Sequence, residues 1–326
     1  MPRRLTGFTP SGDLHLGNYI GAIAPIVSRQ TVTDTVVFVS DLHALTLEHS
    51  PDDVRRRTLE FATLLLAAGA DPDACLFLVQ SHVPEHTELH YLLECATGYG
   101  EAQRMIQFKE KARRQQHVRV SLLTYPILMA SDILLYDTEE VPVGEDQSQH
   151  VELARDVAQR FNARYGPTFT IPRAVNPPVA ARLMDLATPG DKMSKSASSA
   201  AGVLRLLDEP DVLRRKVMRA VTDTGTEVSY DPELKPGVSN LLTILAACTG
   251  DRPQNLAGRF DRYGVLKKAV AEAVVTTLAP VRDRYLELAE DPQYVRGVLR
   301  AGAERARDLA AGKVRLAKEA IGLLTA

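Results

Sequence analysis

Two short stretches of the chain combine residue types that could do chemistry on an anion. In GDKMSKSASS, residues 190–199, Lys192 and Lys195 stand three apart among glycine, serine and alanine that give them little to pack against. Such lysines are either solvated surface or cations left free for a ligand. Far earlier, the turn Thr9-Pro10-Ser11-Gly12 leads into HLGN, where His15 and Asn18 sit three apart at the start of a helical pattern and aim donors in one direction. Gly17 between them would let a ligand approach the backbone closely. The plainer alternative is a capped helix with an exposed histidine. A phosphate-bearing ligand at a strand–turn–helix junction would give both stretches a purpose.

Asp132 lies in ILMASDILLY, apolar on nearly every side, where an ionised carboxylate is costly unless donors meet it. A backbone amide or the hydroxyl of Tyr125 could serve; so could a donor on a bound ligand. VGEDQ, residues 143–147, ends a strand: Gly144 permits close approach of a ligand, and Asp146 could accept from a ligand hydroxyl. Alternatively Glu145 and Asp146 merely favour a helix dipole. His86 and His90 are four apart, a spacing that can chelate a metal. With no HExxH order and no third ligand evident, that stretch reads as a partly exposed helix. The basic run FKEKARRQQHVR at 108–119, and Arg300, Arg305, Arg307 and Lys313 near the end, could meet RNA phosphates or form the wet faces of helices.

Composition narrows the function classes. The 326 residues suggest about two domains, and 45% hydrophobic with 25% charged residues is ordinary globular usage. A net charge of −2 argues against a general DNA coater, so any grip on nucleic acid must be local. Cys75, Cys95 and Cys248 form no C-x-x-C pair, which supports neither a disulfide framework nor a zinc knuckle and leads us to expect thiols in a reducing compartment. No run of 18 apolar residues and no leader-like start is present, so cytoplasmic residence without a membrane partner is expected. Neither a Walker loop nor an intact G-x-G-x-x-G follows a strand, and kinase, GTPase and dehydrogenase readings lose their main support.

The elements that must position these groups alternate. RRLTGF, TVVFV, CLFLV and EEVPVG read as strands, most of them buried on both faces. Between the second and third, SPDDVRRRTLEFATLLLAAG reads as a helix with Ser50 as N-cap, Pro51 in the first turn and Gly69 at its end. Such alternation implies right-handed crossovers and an α/β, Rossmann-type parallel sheet. From about residue 203 onward only helical patterns remain. The expected division is a catalytic domain over 1–190, a helical domain over 191–293 and a terminal helix over 294–326 that packs back on the first, with Pro189 and Gly190 breaking the chain at the junction.

HLGN and KMSKS, in this order and about 180 residues apart, together resemble the paired signatures of class I aminoacyl-tRNA synthetases. LLTYPILMASDILLYDTEEVPVGEDQSQHVELARD is similar to the amino-acid-binding region of the bacterial tryptophanyl members, and the likeness continues through RMIQFKEK, AVTDTG and KPGVSNLL. The resemblance implies a homodimer that activates L-tryptophan with ATP and Mg2+, then loads tRNA(Trp). It implies an anticodon-binding role for the helical domain. Catalysis would fall to His15, Asn18, Lys192 and Lys195. ATP would contact Thr9, Pro10, Ser11, Gly17, Lys111, Gly144, Glu145, Asp146 and Leu183, together with the loop residues Met193, Ser194 and Ser196. Tryptophan would meet Leu5, His43, Tyr125, Met129, Asp132, Val141, Val143 and Gln147, and no protein metal site is implied, since Mg2+ rides on the ATP phosphates. Physically, the reaction needs negative charge stabilised and two reactants held in line, which suits amide and cationic donors without a protein nucleophile.

A tyrosyl-specific relative and a non-catalytic paralogue that binds tRNA share parts of this pattern and are the competing readings. The chain also departs from the family pattern: Thr9 stands where glutamine is usual, Leu5 where phenylalanine is common, and KSASSAAG lacks the aspartate that often follows the lysine loop. These changes touch the first-turn contacts and suggest a divergent second copy, less sensitive to inhibitors that mimic tryptophan.

Overall fold

Side chains alternate along the second strand, so that Val36 and Phe38 enter one apolar core and Val37 and Val39 another. Both faces of the sheet are therefore covered, as its run of β-branched residues demands. The computed structural model describes residues 1–112, 118–144, 147–175, 182–194 and 200–324. Its strands are β1 (Arg3–Phe8), β2 (Asp34–Val39), β3 (Leu76–Val79), β4 (Glu140–Pro142) and β5 (Arg173–Val175). They pair in parallel in the order β3-β2-β1-β4-β5, so connections diverge on either side of β1, where open α/β sheets bind ligands. The α/β parallel fold is as the sequence implies. β5 is an addition: only three residues long, with Arg173 and Ala174 exposed, it carries no apolar signature.

After β1 the chain turns into α1 (Leu16–Asn18), passes through a π-helical turn at Tyr19–Ile23 and continues as α2 (Ala24–Val27). A one-turn helix α3 (Asp41–Ala44) follows β2, and α4 (Pro51–Ala67) returns to β3. The Ser50 hydroxyl accepts the Asp53 N–H at 3.1 Å, and Gly69 takes φ +105° where α4 ends, which are the boundaries its sequence announces. Next come α5 (Glu85–Glu94), α6 (Tyr99–Arg104), α7 (Ile106–Ala112), α8 (Val120–Leu134) and α9 (Ser148–Tyr165). Beyond residue 203 lie only helices: α10 (Pro210–Met218), α11 (Pro236–Thr249), α12 (Pro253–Ala257), α13 (Tyr263–Glu290) and α14 (Pro292–Ile321).

The helical half shares its core with one sheet face, since Leu241, Val270 and Val274 belong to the same buried cluster as Val37, Val39 and Phe77. α14 crosses to the other side, where Ala303, Ala306 and Ala310 pack with Leu76 and Leu78. Its Gly302 has no alternative: a Cβ there would lie 1.7 Å from the Phe77 carbonyl oxygen. Three of the cations considered as RNA contacts are occupied in holding α14 down. Arg305 donates to the Pro72 carbonyl at 3.0 Å, Arg307 to the His82 carbonyl at 2.6 Å, and Lys313 to the Thr168 carbonyl at 2.9 Å while pairing with Asp137.

Candidate active site

The first helix tip and the segment that follows the lysine loop are hydrogen-bonded to each other. Leu16 N–H donates to the Leu204 carbonyl at 2.8 Å, Leu206 N–H to the Leu14 carbonyl at 3.0 Å, and His15 forms an antiparallel bridge with Arg205. On the near side of the loop, Met184 bridges Lys192, Met193 N–H donates to the Leu183 carbonyl at 3.0 Å, and the Asn240 side chain clamps both polar backbone groups of Met184 at 2.9 Å. Gly17 fits between these parts: a Cβ on it would lie 3.1 Å from the His15 ring and 3.9 Å from Leu183. Sequence separation therefore disappears in space, and HLGN stands beside the base of the KMSKS loop.

His15 is buried and caps α1, where its backbone N–H donates to Asn18 Oδ1 at 3.1 Å. The Asn18 oxygen thus serves the helix tip, and its amide NH2 is the donor that could meet a ligand. Lys192 is exposed, and Met193 beside it is buried and anchors the loop base. Thr9 hydrogen-bonds Ser40 at 3.0 Å, tying the first turn to the end of β2, and Ser11 N–H donates to the Thr9 carbonyl at 2.8 Å across Pro10. Gly144 is exposed at the end of β4, where its carbonyl accepts the Gln147 N–H at 2.9 Å. Lys195, Ser196, Glu145 and Asp146 lie outside the described residues; Lys111 lies on α7, and its side chain lies outside them too.

A second cluster forms behind β1 and β4. Asp132, buried on α8, has its Oδ2 2.8 Å from His43 Nε2, while Oδ1 takes Gln80 Nε2 and His86 Nδ1, each at 2.7 Å. Burial opposes its charge, yet these donors outweigh burial and hold the carboxyl well below the ordinary range. Its partners are thus three side chains from α3, α5 and the turn after β3, not a backbone amide or Tyr125. Tyr125 instead hydrogen-bonds His150 Nε2 at 3.0 Å and stacks edge-on to His43, ring centroids 6.2 Å apart. Burial pushes the Tyr125 hydroxyl up to about 12, so it stays protonated. Leu5 and Val141 are buried in this same core, Met129 and Val143 partly so, and Gln147 caps the start of α9.

Sequence reasoning missed Gln80, His86, Tyr136 and His150, all buried around this cluster. α5 is the partly exposed helix that its sequence suggests, with Thr87, Glu88 and Tyr91 exposed, but His86 lies on its buried side while His90 approaches the surface and pairs with Glu94 at 3.1 Å. The signal was present, because His86, Leu89 and Leu93 share one helical stripe. Among the described residues no group of three or more His, Cys, Asp or Glu side chains could hold a metal ion.

The family model for tRNA synthetases class I (W and Y) matches residues 2–279. The chain belongs to this family. Among relatives of these class I synthetases, tryptophan–tRNA ligase 1 of Streptomyces coelicolor is 58% identical over 329 residues, covering 99% of this chain and 98% of the relative. Tryptophan–tRNA ligase 2 of Streptomyces avermitilis is 47% identical, covering 100% and 98%. The crystal structure of tryptophanyl-tRNA synthetase from Mycoplasma pneumoniae superposes with a TM-score of 0.89 at 35% identity, covering 99% of this chain and 98% of that one. The Campylobacter jejuni enzyme, complexed with ADP and tryptophan, gives 0.85 at 34% identity, covering 98% and 100%.

Proposed function

We infer that the chain is an ATP-dependent ligase that activates L-tryptophan and transfers it to tRNA(Trp). The observation that carries this reading is 58% identity over the full length to a tryptophan–tRNA ligase, together with HLGN and the KMSKS base joined in one hydrogen-bonded unit. In the first step a tryptophan carboxylate oxygen attacks the α-phosphorus of ATP, the bond to the bridging oxygen breaks, and pyrophosphate leaves. In the second a ribose hydroxyl at the tRNA 3′ end attacks the activated carbonyl and AMP leaves.

Each residue's part follows from its chemistry. His15 and the Asn18 amide would donate to the phosphates from the tip of α1, with Gly17 leaving room for them. Lys192 and Lys195 would neutralise the departing pyrophosphate from a glycine- and serine-rich loop, with Ser194 and Ser196 beside them and Met193 holding the loop's base. Thr9, Pro10, Ser11, Lys111, Gly144, Glu145, Asp146 and Leu183 would complete the nucleotide site. Asp132 would accept the indole N–H between His43 and Met129, with Leu5, Val141 and Val143 around the ring and Tyr125 and Gln147 toward the amino-acid end. ATP would arrive as its magnesium complex, the ion held through phosphate oxygens. That suits a donor set of amides and lysines rather than clustered carboxylates.

Residues 191–293 would read the anticodon, with 1–190 carrying the chemistry and 294–326 completing its core. A homodimer would cover Tyr91, Tyr99, Ile106 and Val120, apolar residues exposed along α5 to α8. Cytoplasmic work is in keeping with a chain in which no helix among the described residues is long and apolar enough to cross a membrane. The decisive experiment is amino-acid-dependent exchange of pyrophosphate into ATP across all twenty amino acids, followed by charging of tRNA(Trp). Tryptophan alone is expected to support exchange; exchange with tyrosine only, or with none, would overturn the reading.

A further inference from the structure

Behind Asp132 lies a chain of buried groups to which no role has been given. Tyr136 Oη is 2.8 Å from His86 Nε2, and His86 Nδ1 is 2.7 Å from Asp132 Oδ1. His86 and Tyr136 are almost wholly buried, and Ser131 on α8 donates to the His86 carbonyl at 2.7 Å, fixing α5 against α8 at this point. Gln80 adds a second fixed donor. Its Oε1 accepts the Leu42 N–H at 3.1 Å, so the NH2 group must face Asp132. Oδ1 thus takes two donors, whereas among the described residues Oδ2 receives one, His43, on the side where His43 keeps 14% of its side chain exposed.

Proton placement follows. Asp132 is held ionised and so needs the His86 Nδ1–H, which in the neutral ring leaves Nε2 to accept from the Tyr136 hydroxyl that burial keeps protonated. The imidazole proton is then confined to Nδ1, the one position from which the ring donates to a carboxylate. Were the ring in its other tautomer, a lone pair would face Oδ1, and Asp132 would have to be protonated and become a donor itself. A protonated Asp132 would no longer select a ring N–H.

We propose that Tyr136 and His86 are positioning residues that keep Asp132 an acceptor-only group with a single open position on Oδ2, and so set the requirement for an N–H donor on the substrate ring. The proposal rests on the tryptophan reading above. Two residues buried behind Asp132 thereby govern amino-acid choice, through a tautomer.

The test compares tryptophan with its sulfur isostere, 3-benzothienylalanine, which has the same ring shape and no N–H, in pyrophosphate exchange. The unaltered protein is expected to prefer tryptophan in kcat/KM by at least roughly tenfold, the usual scale for leaving a charged acceptor unmet. Tyr136→Phe is expected to shrink that preference by about fivefold or more while leaving KM for ATP unchanged. Replacing His86 separates geometry from bulk: His86→Asn keeps a donor near the Nδ1 position and should retain most of the preference, and His86→Leu should lose it. An unchanged preference in both Tyr136→Phe and His86→Leu, whatever their melting temperatures, would overturn the proposal and leave the network a structural one. Absence of tryptophan-dependent exchange before any substitution would defeat the functional reading, and this inference with it.

Discussion

Leu16 donates its backbone N–H to the carbonyl of Leu204, joining the tip of the first helix to the far side of the lysine loop across a 2.8 Å bond. The bond is made by backbone atoms, so it does not depend on which side chains the loop carries. With Met193 donating to the Leu183 carbonyl on the other side, both flanks of the lysine loop are held by backbone bonds, and Lys192 is exposed on the nearer flank.

Lys192 is exposed, so replacing it should affect chemistry and little else. Lys192→Ala is expected to lower kcat for tryptophan-dependent pyrophosphate exchange by roughly 10²–10³, the scale for removing one charge-stabilising donor. The melting temperature should stay within a degree or two. A loss of stability matching the loss of rate would contradict the assignment.

Asp132→Asn keeps the shape and reverses the hydrogen-bond sense of one terminal atom. Three donors would then face an amide that can satisfy only part of them, and destabilisation of about 3 kcal/mol is expected from urea unfolding. The retained fold should show a KM for tryptophan raised far more than that for ATP.

Alkaline pH should weaken the fold in a defined window. Burial pushes Cys75 up to about 11 and Tyr125 up to about 12. Groups raised in the folded state contribute stability that is complete below their unfolded values, near 8.5 and 10, and lost as pH climbs through the folded ones. The melting temperature is therefore expected to fall from about pH 9 onward, and Cys75→Ala should make the early part of that fall shallower, leaving the part due to Cys248, which burial also pushes up, and to Tyr125.

Lys313 belongs to the fold rather than to RNA binding in this structure, since its ammonium reaches both the Thr168 carbonyl and Asp137. Lys313→Ala is expected to cost roughly 1–3 kcal/mol of stability, the penalty for losing a charged hydrogen bond, with no change in KM for tRNA(Trp). A weaker tRNA KM at unaltered stability would reverse that assignment.

Much of the architecture could be read in advance because local rules agreed with it. α4 carries its start in Ser50 and its stop in Gly69, and β2 announces burial on both faces through Val36, Val37, Phe38 and Val39. β5 could not be found this way, because what holds it is pairing with β4 rather than any apolar side chain of its own. The site divides similarly. His15 and Lys192 are recognisable by type and spacing, but the partners of Asp132 are 46, 52 and 89 residues away, beyond any periodicity. Only the three-dimensional path of the chain brings them together.

Gly302 pressing its bare backbone on Phe77 means that the sheet's outermost strand is shielded by a helix made long after it. While a ribosome is still producing the chain, β3 has one side open to strangers, and an open strand edge invites pairing with other molecules. Docking of α14, more than formation of the nucleotide pocket, is the step that closes that edge to association.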